Sequence, residues 1–176
     1  KVLIANVLYE LMSAFLQSTQ PSVLFTRLYA VACALQIYFD FSGYSDMAVG
    51  LGRIFGFHFP ENFRYPFLSG SVTEFWRRWH ISLGSWFRDY VYIPLGGSRC
   101  SRSRWLLNVF LVWGLTGLWH GAAWNFVLWG LFFAVLLAAE KLWYGHGLEK
   151  TRLLKHLYML PLLAVSFVLF NAADLP

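Results

Sequence analysis

The sequence predicts an all-α fold, a polytopic bundle of transmembrane helices, and two observations carry that prediction. Of its 176 residues, 58% are hydrophobic and 13% are charged, whereas soluble domains have roughly 45–50% apolar and about 25% charged residues. The chain also contains apolar runs, free of charged residues, that are as long as membrane helices need to be. We therefore expect lipid to surround much of the protein.

Three helix candidates lie outside the central part of the chain. Residues 2–17 and 24–38 are mainly apolar, and residues 157–173 form a charge-free run. The span at 24–38 leads into a segment that contains Asp40 and Asp46. Because a carboxylate in or beside a membrane is costly, these two acids are predicted to belong to a functional site.

The central apolar run, residues 105–139, contains no Asp, Glu, Lys or Arg. As one helix rising ~1.5 Å per residue it would exceed the ~30 Å hydrocarbon core, so it must break, and we predict the break at "HGAAWN", residues 120–125. The basic clusters "GGSRCSRSR" and "EKLWYGHGLEKTRLLKH" flank this run. The positive-inside rule then places both ends in the cytoplasm, which makes about 105–139 a broken membrane hairpin or re-entrant pair.

The stretch "FWRRWHISLGSWFRDY" places a histidine among aromatic rings and arginines. Ser71 and Glu74 form the S-x-x-E pattern of a capping box, which predicts an amphipathic or re-entrant helix over about 72–92. At ~100° per residue, one face of that helix is apolar and includes His80, and the opposite face is polar. The apolar face contains Trp76, Trp79, Leu83, Phe87 and Tyr90, and the polar face contains Glu74, Arg77, Arg78, Ser85, Arg88 and Asp89. Two interpretations remain open: an interfacial helix whose histidine simply bonds to a neighbour, or a helix that carries His80 to a buried polar site.

A second histidine lies inside the central apolar run. If the helix continues, Trp113, Thr116, His120 and Trp124 share one face. Small residues let a neighbouring membrane helix approach closely, and here they occupy another face, as Gly114, Gly117 and Gly121. A histidine in a membrane run usually faces a cavity, and imidazole titrates near neutral pH. We therefore predict that His120 is a general base that activates a hydroxyl.

Motifs of several other functions are absent from the sequence. It has no phosphate-binding or dinucleotide-binding glycine pattern and no GxSxG nucleophile motif. Two histidines without a third ligand at metal spacing predict no metal site. Basic residues beside apolar runs are more typical of membrane anchoring than of nucleic-acid binding, so we expect no nucleic acid partner. Because the chain begins with Lys1 and stops just after an apolar run, we expect it to be a fragment of a larger protein.

Three long blocks of the sequence together resemble a known family. They are "QIYFDFSGYSDMAVGLGRIFGFHFPENFRYPF", "EFWRRWHISLGSWFRDYVYIPLGG" and "GLTGLWHGAAWNFVLWG". Over nearly all of residues 35–131, this pattern closely resembles the membrane-bound O-acyltransferase family, and most of all its bacterial branch that acetylates polysaccharides such as alginate. The resemblance implies a multi-pass helical enzyme of the bacterial cytoplasmic (inner) membrane, with a tunnel that joins an acyl donor to a hydroxyl acceptor.

The resemblance also implies a set of site residues within a single catalytic-core fragment, residues 1–176. The catalytic histidine of the family falls on the WHG motif, His120, and its second characteristic position falls on the RRWH motif, His80. His80 is then expected to position the donor or to stabilise the oxyanion. Supporting or substrate-binding roles, with structural pairing as the alternative, are expected for Asp40, Tyr44, Asp46, Arg77, Arg78, Trp79, Arg88, Thr116, Trp119 and Asn125.

The implied reaction transfers an acetyl group to hydroxyls of an exported polysaccharide. The donor is acetyl-CoA or another acyl thioester, which is a co-substrate and not a bound cofactor. The expected partners are membrane lipid and the polysaccharide acceptor, reached through periplasmic acetyltransferase proteins. His120 acts as general base or, in a two-step route, as a nucleophile that is itself acylated. Three other functions remain open: D-alanyl transfer to teichoic acid, a non-catalytic conduit for acyl groups or polysaccharide, and a purely structural assembly subunit.

Overall fold

The computed structural model describes residues 1–145, 147, 151 and 154–172, and these residues are mostly helical. In chain order, the α-helices of this part are α1 (Ala5–Gln17), α2 (Val23–Ile54), α3 (Val72–Arg78), α4 (Ile81–Phe87), α5 (Arg102–His120), α6 (Trp124–Ala139) and α7 (Leu154–Asn171). Shorter helical turns occupy Pro66–Leu68, Arg88–Tyr92 and Glu140–Tyr144. No strand occurs among the described residues, and the predicted all-α fold is confirmed.

Among the described helices, three are long and apolar enough to cross a membrane. They are α2, α6 with the turn that continues it to Tyr144, and α7. Helix α2 reaches 32 residues because the acidic segment after the predicted span at 24–38 continues the same helix. Residue 173 of the predicted C-terminal run lies outside the described residues, as do Lys150 and Arg152 of the second basic cluster. The cytoplasmic placement of the hairpin ends stays a prediction.

The described residues divide into two compact units. One comprises residues 1–62 with residues 162–171, and the other comprises residues 63–161. The first unit contains α1, α2 and the C-terminal part of α7. The second contains α3 to α6 and the start of α7, and it holds both histidines of interest.

In the first unit, α1 packs on α2 through aromatic rings. The ring centroid of Phe15 lies 4.3 Å from that of Tyr29 and 5.1 Å from that of Phe25. Ser22 precedes α2, and its hydroxyl accepts the backbone N–H of Phe25 at 3.2 Å. This cap satisfies one of the free N–H groups at the helix start, so α2 begins where the sequence offers a capping serine.

In the second unit, α5 and α6 form an antiparallel hairpin whose backbones touch. Helix α5 ends at His120 and α6 begins at Trp124, so the central run breaks where the sequence predicted. A Cβ atom at Gly117 would collide with the carbonyl oxygen of Phe126, and the glycine therefore permits the close approach. A Cβ atom at Gly114 would meet open space, so the prediction that Gly114 belongs to this contact face is wrong.

The capping box predicted before α3 is confirmed in part. Ser71 accepts the backbone N–H of Glu74 at 3.1 Å through its hydroxyl oxygen. The carboxylate of Glu74 in turn accepts the N–H of Gly70 at 2.8 Å. The Ser71 contact is that of a capping box, whereas Glu74 accepts the N–H of Gly70, the residue before Ser71, instead of the N–H of Ser71 itself.

The helix predicted over residues 72–92 is broken, and this prediction is wrong in its length. Helix α3 ends at Arg78, whose carbonyl oxygen accepts the N–H of Arg64 at 2.8 Å instead of continuing the helix. Helix α4 begins at Ile81. Because of the break, the predicted apolar residues do not share one continuous helical face: Trp79 and Phe87 are buried, whereas Tyr90 is 70% exposed.

Candidate active site

His120 is the last residue of α5, at the turn of the hairpin. Gly121 follows with a φ of 155°, and a Cβ atom there would lie 2.8 Å from the ring of Phe126, so the turn favours glycine. The imidazole of His120 is half-buried. Its ring centroid lies 4.9 Å from that of Trp119 and 5.2 Å from that of Trp129. The turn thus holds this imidazole among aromatic rings.

His80 occupies the break between α3 and α4. Its backbone, with φ 46° and ψ 54°, is in the left-handed region that non-glycine residues rarely adopt. Trp79 before it is extended and buried, with its ring centroid 5.4 Å from that of Phe75 and 5.0 Å from that of Phe63. Trp79, predicted as a supporting residue, therefore packs in the core and fixes the chain on one side of His80.

The two histidines come together at the ring of Trp119. The centroid of this ring lies 5.8 Å from that of His80 and 4.9 Å from that of His120. His80 is buried, and its Nδ1 lies 3.4 Å from the hydroxyl oxygen of Ser82. Burial, together with the nearby His120, lowers the pKa of His80 to about 4, so this ring is neutral at pH 7. Among the residues that the structure describes, no group of three His, Cys, Asp or Glu is placed to hold a metal ion.

His80 lines two cavities. The larger has a volume of about 1170 Å³, and its polar lining includes Arg77, Thr116 and Glu140. The smaller, of about 340 Å³, is lined by His80, Ser82, Leu83, Trp86 and Trp119. His120 lines neither of these two cavities. The larger is wide enough for a small-molecule substrate, and His80 is the histidine that such a molecule would touch.

Two predicted supporting residues near His120 are buried. Thr116 lines the larger cavity, and its hydroxyl donates to the carbonyl oxygen of Val112 at 2.8 Å. Asn125 is buried in the first turn of α6. Trp124, predicted on the His120 face, begins α6 instead of extending α5 and is 73% exposed. That prediction is wrong because the chain turns after His120.

The three arginines predicted beside the site differ in their surroundings. Arg77 is exposed and lines the larger cavity. Arg78 donates to a carboxylate oxygen of Glu74 at 2.7 Å within α3. This contact is the structural pairing that was expected as the alternative to a substrate-binding role. Arg88 also lines the larger cavity, and it pairs with the adjacent Asp89 at 2.7 Å on the surface.

Three predicted residues, Asp40, Tyr44 and Asp46, lie on α2 in the first compact unit. A carboxylate oxygen of Asp40 lies 3.2 Å from the Nζ atom of Lys1. This ion pair is the structural pairing that was expected as the alternative to a role in the site. Tyr44 and Asp46 are exposed. A role for these three side chains in the site stays a prediction.

A buried carboxylate that sequence reasoning missed lines the larger cavity. Glu140 is only 6% exposed and accepts the backbone N–H of Val72 at 2.7 Å and that of Thr73 at 3.1 Å. It therefore caps α3 although it is 68 residues from Val72 in the sequence. The only signal in the sequence is a charge directly after the apolar run, and such a charge usually marks the end of a membrane span.

Comparisons with known proteins agree with this architecture. The family model of the membrane-bound O-acyltransferase family matches residues 1–172. Over 99% of the chain, the sequence is 46% identical to the probable alginate O-acetylase AlgI of Azotobacter vinelandii and 36% identical to the peptidoglycan O-acetyltransferase of Helicobacter pylori. Over 68% of the chain, it is 39% identical to the teichoic acid D-alanyltransferase of Bacillus subtilis.

The chain spans about a third of the length of these relatives, 35%, 34% and 32% respectively. The match of the family model nevertheless extends over nearly all of the chain. The protein therefore belongs to the membrane-bound O-acyltransferase family.

Proposed function

We propose that this chain is part of a membrane enzyme that transfers an acetyl group from an activated donor to hydroxyls of an exported polysaccharide such as alginate. The observation that carries the proposal is the meeting of His80 and His120 at the ring of Trp119, with His80 on a cavity of about 1170 Å³. Two imidazoles at one place supply the proton acceptor and the hydrogen-bonding group that acyl transfer needs.

In the proposed reaction His120 is the general base. It accepts the proton of the acceptor hydroxyl while that oxygen attacks the acyl carbonyl carbon. The new C–O bond forms, the C–S bond of the thioester breaks, and the departing thiolate takes up the proton. His80, neutral at pH 7, hydrogen-bonds the developing oxyanion or positions the donor. In the two-step alternative, His120 attacks first and carries the acyl group itself.

The donor we propose is acetyl-CoA or another acyl thioester, and Arg77 and Arg88 are two of the four cationic side chains that line the larger cavity, with Lys141 and Lys155. Periplasmic acetyltransferase proteins would pass the group onward to the polymer. The whole protein would be a multi-pass protein of the bacterial inner membrane, in keeping with the three apolar helices of this fragment.

D-alanyl transfer to teichoic acid is the second candidate function. It is favoured by the 39% identity to the teichoic acid D-alanyltransferase of Bacillus subtilis. In both reactions an acceptor hydroxyl attacks the carbonyl carbon of the acyl donor, so the two histidines would keep their roles. The two candidates differ in the acyl group that is found on the polymer.

Replacement of His120 by alanine tests the proposal. In cells that produce the full-length protein, we expect His120→Ala to abolish acyl transfer without lowering the amount of protein in the membrane. Mass analysis of the exported polysaccharide measures the acyl content and distinguishes acetyl from D-alanyl groups. The matched control is His58→Ala, which changes an exposed histidine of the connector after α2. Partial transfer by His120→Ala would favour a conduit, and full transfer would contradict the enzyme proposal.

A further inference from the structure

We propose that Glu140 is a positioning residue for this transfer: its carboxylate fixes the start of α3 and thereby holds the imidazole of His80 at the cavity. The inference rests on the proposed function, in which His80 acts on the donor. It assigns a role to a side chain that lies far from both histidines in the sequence.

The carboxylate satisfies N–H groups that α3 leaves free at its start. The first N–H groups of a helix have no partner within the helix. Glu140 accepts those of Val72 and Thr73, and the hydroxyl of Ser71 accepts that of Glu74. A helix of seven residues is too short to be stable alone. The position of α3 therefore depends on contacts of this kind, and a negative charge at its start adds to them.

The turn that follows α6 directs this carboxylate inward. Residues Glu140–Tyr144 form a π-helical turn, a feature frequent at functional sites. The backbone N–H of Gly145 bonds to the carbonyl oxygen of Glu140, and a Cβ atom on Gly145 would lie 2.6 Å from that oxygen. Glycine at position 145 thus permits the wide turn that places Glu140 against α3.

Helix α6 contacts both histidine-bearing segments. Near its start, the ring of Trp129 lies 5.2 Å from His120 and 5.6 Å from the ring of Trp76 on α3. At its end, Glu140 holds the first turn of α3. His80 follows the last residue of α3 by two positions, so a shift of α3 moves its ring. A single helix therefore contacts the segments that carry His80 and His120, and Glu140 is its charged contact with α3.

The first test measures the exposure of His80 directly and does not depend on activity. The full-length protein in lipid nanodiscs is labelled with diethyl pyrocarbonate, which modifies accessible imidazoles, and mass spectrometry reads the rate at each histidine. In Glu140→Gln one N–H of α3 loses its acceptor and faces an amide donor instead. We expect labelling of His80 to rise about fivefold through local opening of α3, while the exposed His58, in the other compact unit, keeps its wild-type rate. The control Glu10→Gln, at an exposed carboxylate on α1, should leave both rates at the wild-type value.

A second variant removes the same contact from the other partner. Val72→Pro deletes an N–H that bonds to Glu140, at the first helical position, where proline is tolerated. The extended backbone of Ser71, with φ −153° and ψ 160°, suits a residue before proline. We expect a smaller but equally selective rise in the labelling of His80. The inference is overturned if both variants label His80 at the wild-type rate, or if the rate at His58 rises by the same factor.

The second test links the contact to transfer. We expect Glu140→Gln to lower kcat/KM for the donor about tenfold, and to cause no further loss in a His80→Asn background, because residues that act through one another are not additive. A full additional loss in that background means that Glu140 acts elsewhere and overturns the inference. A His80→Asn variant with wild-type transfer contradicts the proposed role of His80. Unchanged labelling of His80 in Glu140→Gln contradicts the positioning inference alone.

Discussion

Replacing Gly117 by alanine should force α5 away from α6 and disturb the hairpin that ends in His120. The added Cβ would collide with the carbonyl oxygen of Phe126 and lie 3.1 Å from the Cα atom of Val127. Both are backbone atoms of α6, so neither can rotate aside as the end of a side chain does. The two helices must separate by on the order of 1 Å to restore ordinary contact.

The size of the effect follows from two opposing contributions to the free energy of unfolding. Overpacking of a tight interface costs about 1–3 kcal/mol, and a collision with backbone favours the upper end of that range. Alanine is better than glycine inside a helix by up to about 1 kcal/mol, which offsets part of the loss. For Gly117→Ala we therefore expect a net destabilisation of about 1–2 kcal/mol.

Gly114→Ala is the matched control, since it makes the same change in α5 where a Cβ atom meets open space. It should stabilise the protein by about 0.5–1 kcal/mol, because only the helix preference remains. Unfolding of the purified full-length protein in mixed micelles, followed by tryptophan fluorescence, measures both variants. Gly117→Ala should also lower acyl transfer, because His120 follows three residues later. Equal stability of the two variants would refute the reasoning from backbone contact.

Two further outcomes are expected. Because His80 has a pKa of about 4 in the fold and ~6.5 when unfolded, the unfolded state binds more protons between these values, so stability should fall as the pH drops from about 6.5 toward 4. The melting temperature of His80→Asn should fall less than that of the wild type over this pH range. An equal fall in both proteins would contradict the lowered pKa of His80. Asn108 is buried and donates to the carbonyl oxygens of Leu95 and Gly97 at 3.0 and 3.4 Å. The carbonyl of Gly97 also accepts from the Cys100 thiol, so Asn108→Leu should destabilise the protein by about 1–3 kcal/mol mainly through the unpaired carbonyl of Leu95. Chemical unfolding measures this loss, and a neutral result would mean that water replaces the amide.

Features that depend on a few neighbouring residues could be predicted from the sequence. The start of α3 follows from Ser71 and Glu74, whose contacts lie within one helical turn. The end of α5 follows from the excessive length of the apolar run and from Gly121. In both cases the residues that decide the structure are adjacent in the chain, so periodicity and capping rules suffice.

Features set by distant contacts could not be predicted in the same way. The break at His80 depends on the packing of Trp79 against Phe63 and on the bond from Arg64 to the carbonyl of Arg78. Residues 76–92 alone still have the pattern of one amphipathic helix. Glu140 was missed for the same reason, because its partners lie 67 and 68 residues away and a backbone N–H leaves no mark in the sequence.

Under the proposed function, the left-handed conformation of His80 places its ring where the transfer would use it. Trp76 contacts Trp113 on α5, whereas His80 contacts Trp119, six residues or ~9 Å farther along that helix. A continuous α3 would advance only ~6 Å from residue 76 to residue 80, but the extended Trp79 adds reach, since an extended residue advances ~3.3 Å. The turn at φ 46° then starts α4. Glycine would adopt that conformation without the roughly 1–2 kcal/mol strain of a residue with a side chain. In the proposed function, the use of the imidazole, whose ring lies beside that of Trp119 and near His120, offsets this strain.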